Sequence, residues 1–166
     1  MEEIIQKIIQ LLFQREQSTL VVSAKDDFFQ SKIGVRDFLK HQHITITDVG
    51  VLFLKEIAEK RETSFVSWIF ESLEYGCEVT LELAFSQVSF IPRDFLVCSP
   101  FILQHKNGLK CYALSKKILT YQDVFWLDCS FVLILEENQQ LTALAREYLE
   151  KEKITVEKIR KAKRGV

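Results

Sequence analysis

Few residues in this chain are placed to do chemistry, and Asp48 is the best of them. It ends the strand-like run Ile44–Asp48 (ITITD), two residues before Gly50. Open α/β sheets place ligands at the carboxyl ends of their strands, which is the functional reading of this carboxylate. The commoner use of an Asp here is as the N-cap of the helix that starts at Val51, and that is the role expected. Asp26–Asp27 is a carboxylate pair, the minimal equipment for acid–base work, but it lies in a polar loop where carboxylates are ordinarily solvated. The four cysteines, Cys77, Cys98, Cys111 and Cys129, are widely spaced, with no CxxC pair among them. They are expected to be buried thiols acting as small hydrophobes. His41, His43 and His105 do not supply the clustered ligands that a zinc site needs. The His41–His43 spacing suits one face of a strand, and a polar loop entering the strand is the expected reading. Neither GxGxxG nor GxxxxGK[ST] occurs, so no loop is indicated as a phosphate cradle. GxSxG and HExxH are absent as well.

The elements around these residues follow from periodicity and punctuation. Leu20–Ser23 reads as a buried strand, and Lys25–Lys32 as a loop. Val35–His41 reads as a short helix and Ile44–Asp48 as a strand. Val51–Lys60 reads as a helix with Leu52, Ile57 and Ala58 on its inner side. Thr63 or Ser64 caps a second helix through Tyr75, whose apolar face is Phe65, Val66, Ile69, Phe70 and Leu73. Gly76 is placed to end that helix in the left-handed conformation. Glu78–Ala84 alternates with period two, as a half-buried strand does. Gln87–Ser99 is ambiguous, because Pro92 limits strand pairing. Phe101–Leu103 and Leu109–Leu114 flank Asn107–Gly108 as a hairpin. A short helix is expected within Ser115–Val124, and a strong strand at Phe131–Glu136. The helix Leu141–Lys151 is capped by Thr142, and Ile154–Val156 adds a last strand. Alternation of strands and helices predicts one small α/β domain whose mixed, partly parallel sheet is flanked by helices.

Ahead of this domain stands MEEIIQKIIQLLFQRE. Ile4, Ile5, Ile8, Ile9 and Leu12 fall within an arc of about 140° on a helix, and Leu11 and Phe13 widen it. Gln6, Lys7, Gln10 and Gln14 hold the opposite face. Glu2–Glu3 at the start and Arg15 near the end suit the helix macrodipole. So short a helix is marginal alone in water and needs cover, either from its own domain or from a partner protein. Membrane-surface helices carry a Lys/Arg-rich polar face, and here Lys7 is the only cation on it. The stretch lacks the uninterrupted apolar region of a secretory signal, so the expected location is the reducing cytoplasm. The organisation predicted is therefore a partner-binding helix over residues 1–17, an α/β domain over 18–157, and a basic tail over 158–166. That tail is expected to be solvated.

Composition narrows the classes. The chain has 166 residues, is 48% hydrophobic with 13 Phe, and so can build a real core. A net charge of −1 provides no global field to attract nucleic acid. No apolar run reaches the length of a bilayer span. Neither a nucleic-acid partner nor a membrane partner is expected.

The segment Leu119–Val156 resembles the carboxyl-terminal part of the PduM family, protein M of propanediol-utilisation microcompartments. Thr120, Tyr121, Asp123 and Val124 match one element of that pattern, and Thr142, Ala145, Arg146 and Glu147 a second. The second element is similar to one found in several other microcompartment proteins. Leu73–Leu83 (LEYGCEVTLEL), the Ile91–Pro92 step, and the amino-terminal helix followed by Arg15–Thr19 stand in the matching order. The resemblance spans nearly the whole chain and is weakest between Lys25 and His43. It implies a non-enzymatic structural component, without cofactor, of a cytoplasmic bacterial microcompartment that degrades 1,2-propanediol. Such a component would connect the shell with the encapsulated enzymes, and the resemblance leaves room for a homo-oligomer. The amino-terminal helix then resembles the short encapsulation peptides that lead cargo into such shells, with Ile4, Ile5, Ile8, Ile9 and Leu12 as its binding stripe.

A second resemblance carries the alternative. Ile44–Leu83 is similar in outline to part of the small FMN-binding decarboxylase-type flavoproteins, with Ile57–Ala58 and the following helix in matching places. Here Val51–Leu54 are bulky where those proteins carry Asn and small residues, and Ser23–Phe29 lacks their Gly/Ser-rich first turn. The segment reads as that scaffold without its flavin. The alternative function is a small flavin- or nucleotide-binding enzyme of the same locus.

Overall fold

A computed structural model of the chain describes residues 1–28 and 33–159. These form an α/β structure with mostly parallel strand pairing, helices beside the strands and a helix at the amino terminus. The elements are α1 (Glu2–Glu16), β1 (Thr19–Ser23), α2 (Val35–Phe38), β2 (His43–Val49), α3 (Val51–Ala58), α4 (Ser64–Glu74), β3 (Glu78–Leu83), α5 (Arg93–Cys98), β4 (Ile102–Gln104), β5 (Lys110–Tyr112), β6 (Ile118–Leu119), α6 (Tyr121–Val124), β7 (Phe131–Glu136), β8 (Gln140–Leu141), α7 (Ala143–Lys151) and β9 (Thr155–Ile159). They fall into two compact units. The first holds Met1–Phe85 with Pro100–Ile102, and the second holds Ser86–Ser99 and the described chain from Leu103 onward.

In the first unit β1 pairs parallel to β2, and β2 parallel to β3. Side chains alternate between the faces of a strand, so register decides which residues share a face. Leu20, Ile44 and Val79 stand in one row, and Val22, Ile46 and Leu81 in the next on the same side. All but Leu20 are buried. The other face carries Thr19, His43 and Glu78, then Val21, Thr45 and Thr80. Helix α4 begins at Thr63, whose hydroxyl accepts from the Val66 amide, and ends before Gly76 at φ +71°. Both signals were legible locally. Trp68 and Ser72 join Phe65, Val66 and Ile69 among its buried residues, and the Phe38 ring lies tilted against Trp68 with centroids 5.1 Å apart.

Several expectations need correction here. In α3 the inner residues are Leu54 and Ile57, while Leu52 is 80% exposed. Asp48 is not the cap of α3. Gly50 takes the N-cap position, and Asp48 lies within β2 at φ +58°, where the β2–β3 register shifts. Part of the expected loop Lys25–Lys32 lies outside the described residues.

In the second unit β4 and β5 form an antiparallel hairpin. Gly108 donates to the His105 carbonyl at 2.8 Å and adopts φ +87°, a conformation that glycine reaches without a Cβ clash. Parallel pairs β5–β7 and β7–β9 complete the strands, and β6 and β8 make a separate two-residue parallel pair. The ambiguous segment before Ser99 is helical from Arg93, with Pro92 at the N-cap position. Leu119, Val124, Leu127, Leu133, Leu135, Ala145, Leu149 and Ile154 form its core. Strand β9 extends through Lys158 and Ile159, two residues into the expected tail, whose remainder lies outside the described residues.

Candidate functional site

Helix α1 has no buried residue. Ile4, Ile5, Ile8, Ile9, Leu11, Leu12 and Phe13 are each more than half exposed. The sequence left open whether this helix docks on its own domain. In the structure it does not, and its apolar stripe is bare. The helix is nonetheless held at its root. Only Gln17 and Ser18 separate it from β1. The Arg15 guanidinium donates from Nε to the Phe38 carbonyl and from a terminal nitrogen to the Tyr75 carbonyl, both at 2.8 Å. A weaker contact reaches Cys77 Sγ at 3.7 Å. The Arg15 carbonyl accepts from the Gln42 amide at 3.0 Å. Ser18 Oγ and His41 Nδ1 lie 2.6 Å apart beside it. His43 Nδ1 stands 3.4 Å from Glu78 Oε1 at the head of β2, so the two histidines serve the strand entry separately.

The family-pattern residues lie together in the second unit, where α6 packs against α7. Thr120 donates its amide and hydroxyl to Asp123 Oδ2 at 2.8 and 2.9 Å. Lys116 Nζ binds the other carboxylate oxygen of Asp123. The Lys116 ammonium, followed by the Thr120 donors, holds this carboxyl below the ordinary carboxylate range. Thr142 caps α7 by accepting from the Ala145 amide at 3.3 Å. Val124 and Ala145 are fully buried in the unit core. The Tyr121 ring meets Tyr148 edge-on at 5.3 Å, and Tyr148 donates to the Phe125 and Leu127 carbonyls. Arg146 and Glu147 are exposed. Six of the eight residues thus build and join two helix starts, and two face outward.

The candidate residues for chemistry do not converge. Asp48 accepts from Ser23 Oγ at 3.1 Å and from Lys25 Nζ at 2.8 Å. It therefore places a carboxylate at the carboxyl ends of β1 and β2. Among the described residues no group of three or more His, Cys, Asp or Glu is placed to hold a metal ion. All four thiols are free, and Cys98 and Cys129 are exposed rather than buried as expected. Burial, with the charge of Glu157 second, pushes the Cys111 thiol up to about 12. Among the described residues no helix is long and apolar enough to cross a membrane.

Residues 3–155 match the PDU-like family, described by propanediol utilisation, and the chain belongs to it. No curated protein and no solved structure matches the chain.

Proposed function

We propose that this protein is a PduM-like, non-enzymatic assembly component of a bacterial microcompartment for 1,2-propanediol degradation. In this reading it links shell and enzyme core, with the α1 stripe as one contact and the α/β body as the other. The observation that carries the reading is the bare stripe on a helix anchored at Arg15, in a chain of a propanediol-utilisation family. An amphipathic helix offers its apolar face to a groove or to other helices through anchors at this spacing. Burying five aliphatic side chains supplies several kcal/mol at roughly 25 cal/mol per Å². Ordering and association consume much of it, which suits weak contacts repeated many times in one assembly.

Co-fractionation with isolated microcompartments tests this reading. The full chain is compared with Ile5→Glu/Ile8→Glu and with a chain lacking residues 2–13, which keeps Arg15. Pelleting of the full chain alone makes the helix the address. Pelleting of all three assigns the contact to the body. Absence of all three from the pellet overturns the reading, and a flavin band in the visible spectrum of the purified protein overturns its non-enzymatic part.

A further inference from the structure

We infer that α1 pairs with α1 of a second copy of this chain, antiparallel, about a two-fold axis near Ile8 and Ile9. The pair is a property of the isolated chain and does not depend on the compartment reading.

Ile5, Ile8 and Leu12 follow the three-and-four spacing of a two-helix seam. Ile4 and Leu11 flank that seam on one side, and Ile9 and Phe13 on the other. Arg15 would be the next seam residue, but it is bonded to the Phe38 and Tyr75 carbonyls, so the seam ends where the body begins. All seven apolar side chains are more than half exposed, and among the described residues of the same chain nothing buries them.

Charge selects the direction. Both acids of the first turn, Glu2 and Glu3, lie at one end of α1, and Arg15 lies in the last turn. Parallel copies would stack acid on acid and align like ends of the two helix dipoles. Antiparallel copies separate the two acidic first turns and bring each to the level of the partner helix's Arg15, beside which Glu16 also stands. Ile5 of one copy then faces Leu12 of the other, twice over, as an isologous contact requires. The tip of each helix also reaches the level of Leu39 and Tyr75, which are 65% and 41% exposed beside the carbonyls that Arg15 holds.

Size sets the strength. Fifteen residues span about 22 Å, and two such stripes bury about 1,000 Å² in total, the lower end for a specific interface. A reversible dimer follows. The flanking residues exceed what a two-helix seam consumes and leave apolar edges on the pair.

Sedimentation velocity of the purified full chain across a concentration series should show a reversible monomer–dimer equilibrium. Ile5→Glu/Ile8→Glu should raise its dissociation constant more than about tenfold while circular dichroism of the body is unchanged. A monomer throughout, a trimer or larger species, or a dimer indifferent to the double substitution overturns the inference. Direction is read by mild oxidation of mixed Ile5→Cys and Leu12→Cys chains, each also carrying Cys98→Ser and Cys129→Ser to remove the exposed thiols. The antiparallel pair gives the mixed disulfide, whereas disulfides between like chains alone overturn the direction. Microcompartment pelleting is read separately, so a monomer that still pellets defeats the pair without touching the link.

Discussion

Arg15 Nε donates to the Phe38 carbonyl at 2.8 Å, joining the last turn of α1 to the end of α2 across 23 residues of chain. Its terminal nitrogen reaches the Tyr75 carbonyl, beyond the end of α4. One planar guanidinium thus ties a helix with no buried residue to two helix ends of the first unit. The stripe is held out on a fixed root, so its direction does not depend on its own burial.

Replacing this root should be felt by the body rather than by the stripe. Arg15→Ala leaves two carbonyls without their charged donor and should cost about 1–2 kcal/mol in urea unfolding. Arg15→Lys should recover only part of that, because an ammonium lacks the fork that reaches two acceptors. Ile5→Glu/Ile8→Glu should lie within about 0.5 kcal/mol of the parent, as exposed substitutions do. Equal stability of Arg15→Ala and the parent would refute the anchor.

Helix α3 offers a sharper contrast. Leu54→Ala should cost about 2–5 kcal/mol, since Leu54 is fully buried, and Leu52→Ala should change stability by no more than about 0.5 kcal/mol. Chemical denaturation of both variants decides it, and a larger loss for Leu52→Ala would reverse the assigned face.

That contrast also marks where sequence reading ran short. Val51–Leu54 is four apolar residues in a row, so its periodicity has no phase, and the inner side can be chosen wrongly by two residues. Signals confined to one turn were legible: Thr63 and Thr142 as caps, Gly76 and Gly108 at positive φ. Pro92 limits strand pairing, but proline serves equally at a helix start, where no amide is needed. The stripe on α1 was legible from its spacing, but its bareness was not, because cover is a tertiary property. Arg15 showed only as a cation at a helix end. Nothing local announces bonds to residues 23 and 60 positions away.

Thiol chemistry should separate the four cysteines. Cys98 and Cys129 are exposed, Cys77 is buried, and Cys111 carries a thiol raised to about 12. Only the thiolate is nucleophilic, so at pH 8 almost none of Cys111 is reactive. Alkylation of the native protein at pH 8 should label Cys98 and Cys129 rapidly and Cys111 slowly, with all four labelled after denaturation. Peptide mapping reads this directly, and rapid native labelling of Cys111 would contradict its raised thiol.

Asp123 makes stability depend on pH in a fixed direction. The Lys116 ammonium and the Thr120 donors depress its folded carboxyl below the value of an unfolded aspartate. A depressed group contributes stability above its unfolded value, near pH 4, and loses it as pH falls through its folded value. Asp123→Asn should therefore have a lower urea midpoint than the parent at pH 7, and the gap should narrow below about pH 4 as the parent protonates. Salt distinguishes the two causes. The exposed Lys116 ammonium is screened at high ionic strength, whereas the Thr120 bonds at 2.8 and 2.9 Å persist, so about 1 M salt should shrink the gap without closing it. A gap that is constant from pH 7 to pH 3 would show that Asp123 holds the start of α6 by shape alone.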